Sequence, residues 1–216
     1  MPDRRSRRTL AVGHISTIVF ASGNPGKIRE VADIFADLDI SIVPQQKFAI
    51  ESPEETGTTF ADNALLKARY ASAQSGLPAM ADDSGIEVDA LGGRPGVWSA
   101  RYAGEAATDE QNVDKLLEAL VEVPNEKRDG GFHCAAVLVF PDSDVEPLIA
   151  EAVWRGKILR ARMGEGGFGY DPVFLDPSSG KTGAQMTRQE KNGVSHRGKA
   201  FRELKKLLLQ RRLPNS

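Results

Sequence analysis

Ser22-Gly23-Asn24-Pro25-Gly26-Lys27 packs two glycines, a side-chain cap and a lysine into one short run. A helix that begins after such a turn offers unpaired backbone N–H groups and the positive end of its dipole, and both favour phosphate. Lys27 adds a point charge. The run is not a Walker A loop: only two residues separate Gly23 from Gly26, and Ile28 stands where Ser or Thr would be needed. The same residues also suit a tight strand-to-helix connection with a solvated lysine.

A second group is acidic. Asp82 and Asp83 follow a short apolar run and precede Ser84 and Gly85, so they are expected at a strand end. Ligands of open α/β sheets gather at the carboxyl ends of strands. Magnesium takes oxygen ligands, commonly one or two carboxylates together with substrate phosphates. A carboxylate beside the metal could take a proton from attacking water. The plainer reading is a turn opened by Asp and closed by Gly. Glu54 and Glu55 lie in an acidic loop over residues 44–58 and are either further ligands or simply solvated.

The run Gly164-Glu165-Gly166-Gly167-Phe168-Gly169-Tyr170-Asp171 lets backbone approach a ligand closely, and an aromatic ring between glycines suits stacking on a base. Asp171 could orient a base edge or a neighbouring side chain. A hairpin whose aromatics close the core is the alternative. Lys191, His196, Arg197 and Lys199 cluster before a helix capped by Ser195. Cations are unfavourable at that end of a helix, which hints at an anionic partner, and His196 and Arg197 could donate to a carbonyl on a base. Trp98 and Trp154 read as core or interface residues, and His133 as a structural histidine at the start of an apolar strand.

Elements must hold these groups. The pattern predicts a strand at 17–21, a helix from Pro25 carrying Ile28, Val31, Ala32 and Phe35 inward, and a second strand at 40–43. A helix over 60–75 ends at Gly76, and a short strand over 79–81 leads into the acids. Thr108 and Gln111 form a capping box, strands follow near 132–140 and 149–158, and a last helix spans 197–212. Strands that alternate with helices early and pair later imply an α/β fold with a mixed sheet.

Composition narrows the function. With 28 basic and 30 acidic residues the net charge is -2, so there is no global field for nucleic acid and any phosphate recognition is local. One cysteine, Cys134, excludes an internal disulfide and cysteine-rich zinc sites, and its apolar surroundings suggest an inert thiol in a reducing cytoplasm. No apolar stretch reaches the roughly 18 residues that span a bilayer. The arginines at 4, 5, 7 and 8 read better as a basic, disordered extension over residues 1–16 than as a signal peptide.

Together these groups meet the needs of a nucleoside triphosphate: a phosphate cradle, carboxylates for metal, an aromatic platform and donors for a carbonyl edge. The chain closely resembles the inosine triphosphate pyrophosphatase family, which acts on noncanonical purine nucleotides. The matching stretches are Ser22–Lys27, Glu54-Glu55-Thr56-Gly57, Phe60–Tyr70 with Asn63 and Lys67, Ala81–Gly85, Gly92–Gly104, Phe132-His133-Cys134, Gly166–Phe174, Lys191 and Ser195–Gly198. They run in family order from about 17 to 212, consistent with one pyrophosphatase domain over 17–216. The resemblance implies an elongated, twisted mixed β-sheet flanked by helices, two lobes with a substrate cleft between them, and a homodimer. It implies Mg²⁺-dependent hydrolysis of ITP, dITP, XTP and dXTP to the monophosphate and pyrophosphate, cleansing the nucleotide pool.

Carried over position by position, Ser22, Gly23, Asn24, Pro25, Gly26 and Lys27 would hold the phosphates. Asp83 would be proton acceptor and metal ligand, with Ser84 beside the substrate. Glu54 would be the second metal ligand, with Glu55 one residue away as the alternative. Phe168, Gly169, Tyr170 and Asp171 would cradle the base, and Lys191, His196 and Arg197 would complete the site. The basic extension is unexplained by the resemblance. Two rival readings are a related pyrophosphatase acting on modified pyrimidine nucleotides and a non-catalytic nucleotide-binding module. Neither a nucleic-acid nor a membrane partner is expected.

Overall fold

The computed structural model describes residues 15–212. Most of the expected basic extension lies outside the described residues. Its last two residues belong to the fold: Ile15 is buried and Ser16 O accepts from Ser41 N at 2.8 Å.

Seven strands form one mixed sheet in the order β2-β1-β3-β4-β5-β6-β7. They are β1 (Thr17–Phe20), β2 (Ser41–Pro44), β3 (Ala79–Val88), β4 (Asp129–Val139), β5 (Leu148–Ile158), β6 (Phe174–Asp176) and β7 (Lys181–Thr182). The helices are α1 (Pro25–Phe35), α2 (Phe60–Ser75), α3 (Asp109–Ala119), α4 (Arg188–Val194) and α5 (His196–Arg212). Strands β2, β1 and β3 pair in parallel, and β3 to β7 antiparallel. Among the described residues no helix is long and apolar enough to cross a membrane.

The period of two along each strand divides the core. Met80, Cys134, Ala136 and Leu138 face α1 and α5, packing with Phe20, Phe35 and Phe201. Ala79, Ala81, Ala135 and Val137 face α2, whose Ala64, Ala68 and Ala71 allow close approach. A further cluster around Phe132, Trp154 and Phe174 packs with Leu116 and Leu120 of the α3 region. The buried Trp154 donates to Asp176 Oδ1 at 3.1 Å, whereas Trp98 is 55% exposed with Arg101 stacked over it. His133 stacks on Phe60 and pairs with Glu87.

One difference from the sequence reading bears on the site. The sequence reading ends the strand at Ala81 with the acids just beyond it, but β3 runs unbroken from Ala79 to Val88, with Asp82 opposite Ala136 and Asp83 opposite Ala135. The antiparallel ladder to β4 decides this over the local turn preference of Asp and Gly. Gly85 has a packing role: a Cβ there would lie 2.3 Å from Gly96 O. Strand β1 pairs with β3 only at Val19 and Phe20, and Ala21 N donates to Met80 O. Beyond Ala81 the β3 edge therefore faces the Ser22–Lys27 turn rather than another strand.

Candidate active site

Adjacent residues of a strand point to opposite faces. Asp83 accordingly meets α2, and Asp82 meets α5. Because the β3 edge is open here, both faces border one concavity. A pocket of about 840 Å³, including its mouth, is lined by Asn24, Lys27, Glu55, Asp83, Ser84, Phe168, Gly169, Tyr170, Asp171, Lys191, His196 and Arg197, with Phe132 and Asn112.

Part of the wall is the turn before α1. Asn24 caps the helix, its Oδ1 accepting from Gly26 N at 2.8 Å and Lys27 N at 3.2 Å. Two N–H groups expected to be unpaired are thus held by the cap, and Pro25 has none to offer. The turn presents Asn24 and Lys27 to the pocket, whereas Ser22, Gly23, Pro25 and Gly26 do not line it. Lys27 Nζ lies 3.1 Å from Asp82 Oδ2.

Behind the wall, Lys67 of α2 bridges two acids that line it, with Nζ 2.7 Å from Glu55 Oε1 and 3.0 Å from Asp83 Oδ1. Asn63 donates to Asp83 Oδ2 at 3.2 Å. Burial pushes the Glu55 carboxyl up, but Lys67, aided by Lys27 and Arg101, outweighs it and holds the group below the usual value. Burial would lower the Lys67 ammonium, yet Asp83 and Glu55 raise it, so it is charged. Glu54, the expected metal ligand, points elsewhere: it is exposed and lines a surface groove with Leu65, Arg69 and Tyr70. A one-residue offset therefore puts Glu55 beside Asp83. Among the described residues no three His, Cys, Asp or Glu side chains form a ready-made metal cage. The two carboxylates fit a hard cation that is completed by substrate oxygens.

Phe168 lies against Gly26 of the α1 turn, where a Cβ would stand 2.7 Å from its ring. Lys191 Nζ sits 4.3 Å above the same ring and Arg197 at 5.5 Å. Asp171 is buried and orients neighbours rather than facing outward: its Oδ2 accepts from Phe168 N at 2.9 Å and Lys191 Nζ at 2.6 Å. Tyr170 commits its hydroxyl to Ser99 O at 2.8 Å. Asp109, at the start of α3, accepts from Gly169 N at 2.7 Å. His196 stacks on Phe132 with centroids 4.7 Å apart, and its Nδ1 is buried without a partner. Burial, reinforced by Arg197 and Lys191, holds its pKa well below the usual value. His196 is therefore a neutral donor and acceptor.

Buried charges tie α1, β3, α4 and α5 together. Glu30 of α1 meets Arg197 Nη1 at 2.8 Å and Lys191 Nζ at 3.0 Å. Arg197 also meets Asp82 at 3.0 Å. Burial raises the Asp82 and Glu30 carboxyls, but Arg197 and the nearby lysines more than reverse this, so both are ionised. Sequence reasoning gave no role to Glu30 or Lys67. Lys67 lies four residues after Asn63 on the α2 face that carries Ala64 and Ala68, and polar residues on an alanine face were the available signal. Glu30 carried none, because its partners are remote in sequence.

These features define an α/β protein in which one pocket joins lysines, paired acids and an aromatic shelf. The chain belongs to the Ham1 family, whose model matches residues 18–207. It is 52% identical over 187 residues to a dITP/XTP pyrophosphatase of Salmonella typhi, covering 87% of this chain and 95% of the relative. It is 56% identical over 184 residues to one of Erwinia tasmaniensis, covering 85% and 90%. Among solved structures, a HAM1 protein from Coxiella burnetii superposes with a TM-score of 0.83 at 46% identity, covering 91% of this chain and all of the other.

Proposed function

We propose that the protein hydrolyses noncanonical purine nucleoside triphosphates, ITP, dITP, XTP and dXTP, to the monophosphate and pyrophosphate, with Mg²⁺. The observation that carries the reading is that one pocket is lined together by Lys27, by Glu55 and Asp83, and by Phe168, Lys191, His196 and Arg197. Those groups suit a triphosphate, a metal-assisted hydrolysis and a base. Substantial identity to relatives named dITP/XTP pyrophosphatase supports it.

In this reading Lys27 neutralises phosphate oxygens and Asn24 orients them. Asp83 accepts the proton of the attacking water, and Lys67 and Asn63 hold its carboxylate in place. A magnesium ion held by Glu55 and Asp83 would neutralise charge on the phosphates. Phe168 stacks on the base. Hypoxanthine and xanthine present O6 as acceptor and N1–H as donor, whereas adenine presents the reverse. Donors from Arg197 and Lys191 at O6 would leave adenine mispaired, at about 1–3 kcal/mol per unpaired buried group. The resemblance carries with it a homodimer with a cleft between two lobes, and the lone buried thiol suits the cytoplasm.

The test is incubation with ITP, dITP, XTP, ATP, GTP and dTTP, with and without Mg²⁺, following pyrophosphate and orthophosphate separately. Metal-dependent pyrophosphate from ITP and XTP in clear preference to ATP and dTTP supports the reading. Orthophosphate release, or binding without turnover, overturns it.

A further inference from the structure

Three side chains that line the pocket converge on one oxygen that does not. Asp82 Oδ2 lies 3.1 Å from Lys27 Nζ, accepts from Arg197 Nε and Nη2 at 3.1 and 3.0 Å, and accepts from Ser84 Oγ at 3.2 Å. The Asp82 side chain has no exposed surface, and it is absent from the pocket wall. Its backbone is fixed by the ladder to β4. Lys27 comes from α1 and Arg197 from α5, and this oxygen joins them directly.

The donor count shows what the link does. Arg197 has five N–H groups. Nε binds Asp82, Nη1 binds Glu30, and Nη2 serves Asp82 and Ser84. One Nη1 hydrogen is left for a ligand, and its direction is set by the contacts that hold the other four. Two of those four are to Asp82.

We propose that Asp82 is a positioning residue that couples phosphate-side Lys27 to base-side Arg197 and thereby sets base discrimination. The proposal rests on the functional reading above. Without the Asp82 charge, two cations that share one anion separate. Lys27, partly exposed, turns toward solvent. Arg197 keeps Glu30 but loses its main anchor, and its free hydrogen no longer meets O6 in a fixed direction. Adenine is then no longer penalised. A purely structural role would act differently: a smaller folded fraction lowers turnover of every nucleotide by the same factor.

The experiment compares wild type, Asp82→Asn and Asp82→Glu for pyrophosphate release from ITP and ATP at fixed Mg²⁺, with thermal melting of each. Asp82→Asn removes the charge at constant shape. Asp82→Glu keeps the charge but moves the shared oxygen, and it decides the matter should the Asn variant not fold. The expected result is a fall of at least about tenfold in the ITP-over-ATP ratio of kcat/KM, on top of any common loss. A wild-type ratio in a folded variant, or an equal loss for both nucleotides, overturns the proposal. Wild-type protein that releases no pyrophosphate from ITP overturns the functional reading instead.

Discussion

Replacing Lys67 with Met removes the only cation that touches both Glu55 and Asp83 among the described residues. The side chains of Lys67 and Asp83 are 9% and 10% exposed, and that of Glu55 is 26%. Breaking a buried ion pair by removing one partner costs about 3–5 kcal/mol. Partial solvation of Glu55 puts this site at the lower end, about 3 kcal/mol at pH 8. The pH dependence has a definite sign. In the wild type the Glu55 pKa lies below its unfolded value, so its stabilisation is complete above the ordinary carboxylate range and is lost only as pH falls through the lowered pKa. The Lys67 pKa is raised, so its share is lost only in strong alkali. Between pH 8 and pH 5 the wild-type pair is therefore constant. In the variant, two neighbouring carboxylates lack their cation, and one is pushed to bind a proton at higher pH than in the unfolded chain. The folded variant then binds more protons than the unfolded one, and acidification stabilises it. Urea denaturation without divalent cation should show a penalty of about 3 kcal/mol at pH 8 that shrinks toward pH 5. A penalty below about 1 kcal/mol at pH 8, or one equal at both pH values, would refute this reasoning.

Three further outcomes are expected. Asp83→Asn should bind ITP but lose about 10²–10⁴-fold in kcat, read by pyrophosphate release and calorimetry; near-wild-type turnover moves the proton acceptor elsewhere. Glu55→Gln should raise the Mg²⁺ needed for half-maximal rate, whereas Glu54→Gln should leave the titration unchanged; the opposite pattern reinstates Glu54. Gly198→Ala places a Cβ 2.0 Å from Asn192 O, where α4 meets α5, so it should destabilise by about 1–3 kcal/mol in thermal melting and separate Lys191 from Arg197. Unchanged melting and activity would show that the junction yields freely.

Much of the scaffold was legible where local rules agreed with the tertiary fold. Helix α2 spans Phe60–Ser75 with Gly76 in the left-handed region, as the periodicity and the terminal glycine required. The Thr108 and Gln111 capping box is present. The register of β3 was not legible, because Asp-Asp-Ser-Gly favours a turn locally and only pairing with β4 overrides it. The choice between Glu54 and Glu55 depends on an irregular loop held by Lys67, and no period assigns a side chain in a loop to a face. The capped amides of Gly26 and Lys27 show a subtler limit. Asn24 was read correctly as the cap, and the consequence, that it takes donors otherwise free for phosphate, follows from the same residue. The charges linking Glu30, Asp82, Lys191 and Arg197 join residues up to 167 positions apart, beyond any spacing rule.

The most direct test of the account is a crystal structure of the Asp83→Asn variant with ITP and Mg²⁺. The account predicts the triphosphate at Asn24 and Lys27, the metal between Glu55 and the phosphates, and hypoxanthine on Phe168 with O6 toward Arg197. A base at the Lys27 end, or phosphates against Lys191 and Arg197, would contradict it.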